Sequence, residues 1–313
     1  MTEPSLPAVI FLMGPTASGK TALAMELHDQ LDCEIVSVDS ALIYRDMNIG
    51  TAKPDAEMLS QYPHHLVDIR DPSQTYSAAE FRRDALKLIK DIQNRGKMPL
   101  LTGGTMMYFN ALQQGLAELP DADAKLRAEL VVQAQTEGWG AIHARLAQVD
   151  PVSAERINPN DSQRLQRALE VYLLTGTPMS AHWEAQKTAQ LPFNPISLAV
   201  MPKERSELHR RIELRFDQML EQGFEAEARK LWERGDLDVS MPSVRCVGYR
   251  QMWNYFSGEW DYDTMRFKGI VATRQLAKRQ VTWLRSWEKL NWLDTHDPDI
   301  VNNALKIIRP AII

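Results

Sequence analysis

Gly14-Pro15-Thr16-Ala17-Ser18-Gly19-Lys20-Thr21 follows directly on the apolar run Ala8-Val9-Ile10-Phe11-Leu12-Met13 and fits G-x-x-x-x-G-K-[ST] at every fixed position. The run reads as a buried parallel strand, and Thr21-Ala22-Leu23-Ala24-Met25-Glu26-Leu27 reads as a helix whose N-terminus points back at the loop. Glycines in such a loop let backbone N–H groups converge, and the helix dipole favours an anion there. Lys20 adds a point charge, and the Thr21 hydroxyl is suited to hold a magnesium ion. Gly14, Pro15, Thr16, Ala17, Ser18, Gly19, Lys20 and Thr21 are therefore expected to form a phosphate cradle. The loop alone leaves open which phosphate compound it holds.

The same strand-then-loop pattern recurs. Glu34-Ile35-Val36-Ser37-Val38 ends on Asp39-Ser40, and Met98-Pro99-Leu100-Leu101 ends on Thr102-Gly103-Gly104-Thr105. Between them, residues 77–95 carry Phe81, Ala85, Leu88, Ile89 and Ile92 at helical spacing, with Gly96 as the C-cap. Strand, helix and strand in alternation predict an α/β fold with a parallel sheet flanked by helices. Such sheets bind ligands at the carboxyl ends of their strands, where the loop 14–21, Asp39 and Thr105 all fall.

Beyond Pro120 the pattern turns helical, over 125–135, 138–149 and 163–174, the last running on to about Gln190. This predicts an inserted helical subdomain over 119–191 within a core formed by 1–118 and 192–313. A strand is expected at 196–201, and one long helix with i, i+4 charge pairs at 206–234. The tail from Arg245 mixes helices with aromatics, and Trp283 and Trp287 are expected in the core.

Of the 313 residues, 44% are hydrophobic and 25% charged, which describes an ordinary folded protein and excludes disorder. The formal net charge of −5 speaks against a polyanionic partner, but its distribution is uneven. Residues 264–290 hold seven basic side chains against Glu288 alone, a local charge of +6. Cys33 and Cys246 are the only cysteines, far apart, so neither a disulfide framework nor a zinc site is signalled. With no basic leader before the first apolar run and no run long enough to span a bilayer, the expected compartment is the cytoplasm.

Asp39, a carboxylate at a strand end opposite the phosphate loop, suits a general base, a magnesium ligand or a helix N-cap. Thr105, after two glycines, suits ligand contact or the N-cap of the helix that follows. Gln163, Arg164, Gln166 and Arg167 lie off the buried stripe of their helix, with Leu165 on it, and suit phosphates and base edges as well as plain solvation. Arg245-Cys246-Val247-Gly248-Tyr249-Arg250 sets two arginines and an aromatic around a glycine, able to stack on a base and grip a backbone. Lys278, Arg279 and Arg285 extend the basic tail. The loop and Asp39 by themselves equally suit a small-molecule kinase that binds ATP.

Gly14 to Thr21, taken with Val38-Asp39-Ser40-Ala41-Leu42-Ile43-Tyr44, Asn48-Ile49-Gly50-Thr51-Ala52-Lys53-Pro54, Gly103-Gly104-Thr105-Met106-Met107-Tyr108 and Arg245 to Arg250, resembles the bacterial tRNA dimethylallyltransferase family. The resemblance spans nearly the whole chain. It implies a P-loop NTPase-like core and transfer of a dimethylallyl group from dimethylallyl diphosphate to the exocyclic amine of the adenosine 3′ of the anticodon. The substrates implied are tRNAs reading codons that begin with U, and the cofactor implied is Mg2+. It implies further that the loop, Thr16 to Thr21 above all, holds the diphosphate and that Asp39 is the general base. Thr105, Arg127, Asp39-Ser40-Ala41-Leu42, Gln163-Arg164-Leu165-Gln166-Arg167 and Arg245 to Arg250 are implied to contact tRNA. The related adenylate isopentenyltransferases, which prenylate free AMP, have less need of a long basic C-terminal region.

Overall fold

The computed structural model describes residues 6–115, 119–186 and 191–311. In chain order the elements are β1 (Ala8–Met13), α1 (Lys20–Gln30), β2 (Cys33–Val38), α2 (Ala56–Gln61), β3 (His64–His65), α3 (Ala78–Asn94), β4 (Met98–Gly103) and α4 (Met106–Gln114). Helices α5 (Ala124–Glu137), α6 (Trp139–Val149), α7 (Pro151–Arg156), α8 (Ser162–Thr175) and α9 (Met179–Gln186) follow. The chain then returns to β5 (Asn194–Met201), α10 (Arg205–Glu221), α11 (Phe224–Glu233), α12 (Tyr249–Phe256), α13 (Tyr262–Arg285), β6 (Asn291–Asp294) and α14 (Ile300–Ile308). Two compact units result, Met1–Leu112 with Pro192–Ile313, and Gln113–Leu191.

In the larger unit six strands form one parallel sheet in the order β3-β2-β4-β1-β5-β6, an α/β arrangement flanked by helices. Side chains alternate across it. Ile10 and Leu12 of β1 pack with Ile35, Leu100 and Leu198 against Leu23, Ala24 and Leu27 of α1 and Leu305 and Ile308 of α14. Phe11 turns the other way and meets Phe109 of α4 with ring centroids 5.2 Å apart. α3 is fixed at its start by Ser77, which accepts from the Glu80 N–H while Glu80 accepts in return, a reciprocal cap.

Register decides where the loops emerge. Met13 and Val38 both pair with Gly103, so β1, β2 and β4 finish at the same level. A Cβ at Gly103 would overlap the Val38 carbonyl, and glycine is what lets these strands approach there. β1 and β4 lie side by side while their onward connections run in opposite directions, which opens a crevice past their carboxyl ends.

Some expectations are corrected. The helix predicted to run from 163 to about Gln190 stops at Gly176, whose left-handed φ of 71° ends α8, and α9 is separate; residues 187–190 lie outside the described residues. The helix expected over 206–234 is two helices, broken at Gly223 with φ of 99°. β3 and β6 were missed, being only 2 and 4 residues long.

The smaller unit is all helix among its described residues, with Ile142, Leu146, Leu165, Ala168 and Leu169 buried at its centre. Glu170 of α8 is fully buried and accepts from Arg127 Nε (2.9 Å) and Nη2 (3.0 Å), Arg167 (2.7 Å) and the Asp123 N–H (2.8 Å). One carboxylate thus ties the start of α5 to the middle of α8. Glu170→Ala is expected to cost roughly 2–3 kcal/mol, less than for a fully buried pair because both guanidinium groups can turn to water. Urea denaturation of the full chain measures it, together with faster proteolysis within 119–186.

Candidate active site

Three loops meet at the common strand-end level. The phosphate loop leaves β1 at Gly14, where a Cβ would come within 2.6 Å of both Ser18 Oγ and the Val200 carbonyl. Ala17 (φ 62°) and Gly19 (φ 92°) adopt left-handed backbone, and the Ser18 N–H donates to the Pro15 carbonyl at 3.2 Å. Two distant residues hold the loop. Gln280 Oε1 accepts from the Thr16 N–H at 2.9 Å, and Thr295 Oγ1 donates to the Ser18 carbonyl at 2.6 Å. α1 then begins at Lys20 with no side-chain cap and no acidic residue in its first turn, so its leading amides face the cavity uncompeted.

Asp39 leaves β2 on the facing side, its Oδ1 accepting from the Ala41 N–H at 2.8 Å. Thr105 leaves β4, and its Oγ1 accepts from the Ser40 N–H at 3.0 Å, so the hydroxyl binds the neighbouring loop and does not cap α4. Thr16, Lys20, Thr21, Asp39 and Thr105 line one cavity of about 530 Å³.

Arg215 of α10 lines it as well and was not singled out from sequence, because it sits among charge pairs that read as helix-surface support. Burial disfavours its charged form, and Asp39 offsets part of that. Burial also brings the Lys20 ammonium down to about 8, with Asp39 opposing the fall and Arg215 adding to it. Lys20 and Arg215 therefore share one desolvated space with one carboxylate, and an added anion would favour the charged form of each. Cys246 lines the same cavity, and burial, with Asp39 adding to it, pushes its thiol up to about 12, which keeps it protonated and unreactive.

The C-terminal segments reach the cavity in part. Arg245 and Arg250 are exposed, and Arg245, Cys246 and Val247 line the cavity. Gly248 is buried, with φ of 96°. Tyr249, expected as a stacking surface, is 1% exposed; its hydroxyl donates to Glu227 Oε1 at 2.6 Å and its ring packs on Phe224, so it is a core residue. The expectation for Trp283 is corrected the other way, since it is 41% exposed and lines the cavity beside Arg279. Lys278, Arg279 and Arg285 are exposed on α13, whereas Arg274 pairs with Glu213 (2.6 Å) and Arg266 with Asp217 (2.6 Å), so α10 neutralises part of the basic excess.

In the helical unit Gln163 and Arg164 are exposed. Leu165 is fully buried, which removes its side chain from any contact surface. Gln166 donates to the Arg127 carbonyl at 2.9 Å, and Arg127 and Arg167 are committed on one side to Glu170. Among the described residues no three His, Cys, Asp or Glu side chains converge on a metal position, and no helix is long and apolar enough to cross a membrane.

Comparison with known proteins agrees with this architecture over nearly the whole chain. The full-length tRNA isopentenylpyrophosphate transferase from Bacillus halodurans is similar at 36% identity over 98% of this chain and 97% of that one, with a TM-score of 0.72. The tRNA delta(2)-isopentenylpyrophosphate transferase from Staphylococcus epidermidis is 31% identical over 97% and 99% of the two chains, with a TM-score of 0.70. A eukaryotic dimethylallyltransferase acting on tRNA matches 96% of this chain and 78% of its own, at 25% identity and a TM-score of 0.83. Residues 42–287, from just past Asp39 to the end of the basic helix, match the family described as IPP transferase, and with two relatives above 30% identity across nearly the full chain, this protein belongs to that family.

Proposed function

We propose that this protein transfers a dimethylallyl group from dimethylallyl diphosphate to the exocyclic amine of the tRNA adenosine 3′ of the anticodon, in tRNAs reading codons that begin with U. The observation that carries the reading is the single cavity in which a phosphate loop with Lys20 and Arg215 faces Asp39. A kinase-type loop is here put to work on a leaving group.

The loop amides after Thr16, with Lys20 and Arg215, stabilise negative charge as it grows on the departing diphosphate. The adenine amine is a weak nucleophile because its lone pair is delocalised into the ring. Asp39 is assigned to accept its proton as the new N–C bond forms, a role that favours a carboxylate already fixed in place, as the Ala41 N–H fixes this one. Thr105 holds Ser40 and so shapes the same rim. Because the target amine lies within the anticodon-loop stack, the nucleotide must be turned out into the cavity, at a cost of about a few kcal/mol. Arg245, Arg250, Lys278, Arg279 and Arg285, with Gln163, Arg164 and the outward faces of Gln166, Arg127 and Arg167, are assigned to offset that cost by contacts with the tRNA.

The residues present fit a magnesium ion. Thr21 lines the cavity at the head of α1, and the hydroxyls of Ser37 and Thr102, register partners on β2 and β4, are buried there with no hydrogen-bond partner among the described residues. These three hydroxyls would hold the ion beside the diphosphate, where it supplies further charge neutralisation to the leaving group. Two unpaired thiols and the tRNA substrate suit the cytoplasm.

Incubation of tRNA with the protein, magnesium and dimethylallyl diphosphate, followed by mass spectrometry of its nucleosides, is expected to give a prenylated adenosine. No such product, or phosphate transfer from ATP to a metabolite without tRNA, would replace the reading by the kinase. Asp39→Asn keeps the acceptor for the Ala41 N–H and is expected to lower kcat by about 10²–10⁴ while tRNA affinity holds, which single-turnover assays and filter binding separate.

Raising salt is expected to weaken tRNA binding steeply, and Arg279→Ala to flatten the log–log slope by about 1. For Lys20 the bound anion favours the charged form, so its pKa in the complex lies above the free value of about 8. Pyrophosphate binding should therefore take up a proton at about pH 8.5 and weaken as pH rises beyond the free pKa. Calorimetry in buffers of different ionisation enthalpy reads that uptake, and Lys20→Met should remove it.

A further inference from the structure

Gln280 lies on α13, far in sequence from the loops at Thr16 and Gly104, yet its side chain joins the two. It is 7% exposed. Its Oε1 accepts from the Thr16 N–H at 2.9 Å, and its Nε2 donates to the Gly104 carbonyl at 2.8 Å. These partners fix the amide's orientation without ambiguity, since an N–H can only meet the oxygen and a carbonyl only the NH2. Glutamate could not replace it, because one carboxylate oxygen would then face the Gly104 carbonyl. Nor is there slack on the other side, where a Cβ at Gly104 would overlap Gln280 Nε2.

The bridge continues. Gly104 precedes Thr105, whose Oγ1 takes the Ser40 N–H at 3.0 Å, and Ser40 follows Asp39, whose Oδ1 takes the Ala41 N–H at 2.8 Å. One connected path of hydrogen bonds and single peptide steps thus runs from the phosphate loop through Gln280 to the Asp39 carboxylate. The same turn of α13 brings Arg279 and Trp283 to the cavity. The Thr16 amide, moreover, is already spent on Gln280, so the loop's donors to an anion begin beyond it.

We propose that Gln280 is a positioning residue that sets the distance between the diphosphate cradle and Asp39, placing the leaving group and the proton acceptor in register across the cavity. The proposal rests on the transferase reading above. A buried leucine or methionine would fill the same space, but only a primary amide can hold both loop backbones at once. Since a misplacement of about 1 Å in a reacting pair can cost about 10²-fold in rate, the effect belongs in the chemical step and not in binding.

The test is Gln280→Met in the full-length protein, which keeps the side-chain volume and removes both hydrogen bonds. Expected is a fall in kcat of about 10–100-fold, with KM for tRNA and for dimethylallyl diphosphate each within about threefold of wild type and thermal unfolding shifted by only a few degrees. Gln280→Glu should lose as much despite its near-identical shape. If Gln280→Met does not fold, Gln280→Asn, one methylene too short to span both loops, is read in its place. A kcat within about twofold of wild type, a rise in KM with kcat unchanged, or a loss that merely tracks the folded fraction would each overturn the proposal. Wild-type protein that yields no prenylated adenosine would instead overturn the transferase reading beneath it.

Discussion

Three parallel strands that end at one level, with a glycine at the end of the middle one, are what the rest of the site depends on. Met13 and Val38 both pair with Gly103, and the missing Cβ there lets the Val38 carbonyl close in. Within two residues of that level three chemically different loops begin: a glycine-rich loop at Gly14, a carboxylate at Asp39 and a hydroxyl at Thr105. A shift of one residue in either pairing would move the carboxylate and hydroxyl along the strand axis by about 3.3 Å and turn their side chains to the other face, dispersing the site.

Charge is concentrated in this space against the cost of burial. Lys20 and Arg215 are both held below their ordinary basicity, and Asp39 is the carboxylate that partly offsets each. Such an arrangement is poorly satisfied when empty and well satisfied by an anion, which is the electrostatic preorganisation that a departing diphosphate needs. Ser37 and Thr102, which line the same cavity, add two buried hydroxyls with no hydrogen-bond partner among the described residues.

The C-terminal region has two faces and two uses. Arg266 and Arg274 are consumed by Asp217 and Glu213, which binds α13 to α10, while Lys278, Arg279 and Arg285 remain exposed. Gln280 and Thr295 reach back to the phosphate loop from this same region, so the part of the chain assigned to the tRNA also shapes the cradle for the donor. The helical unit makes a comparable economy, since Arg127 and Arg167 hold Glu170 with one side and keep 40% and 28% of their side chains open to solvent.

The amino-acid sequence by itself determined the elements whose cause is local: the apolar run into Gly14 to Thr21, the strand ends at Asp39 and Thr105, and the helical spacing from Phe81 to Ile92. Glycine-rich loops, unbroken apolar runs and helical spacing act over a few residues, so they are visible without any partner. What only the tertiary structure decided were long-range choices among residues of the same type. Tyr249 went to the core because Glu227 and Phe224 offered its hydroxyl and ring buried partners, while Trp283 stayed 41% exposed at the cavity. Arg215 and Gln280 are as polar as their solvated helix neighbours, and their place in the site comes from how α10 and α13 pack on the sheet. Pairings across 264 residues, such as Gln280 with Thr16, leave no periodic trace in the chain, because the contact is set by the fold and not by spacing.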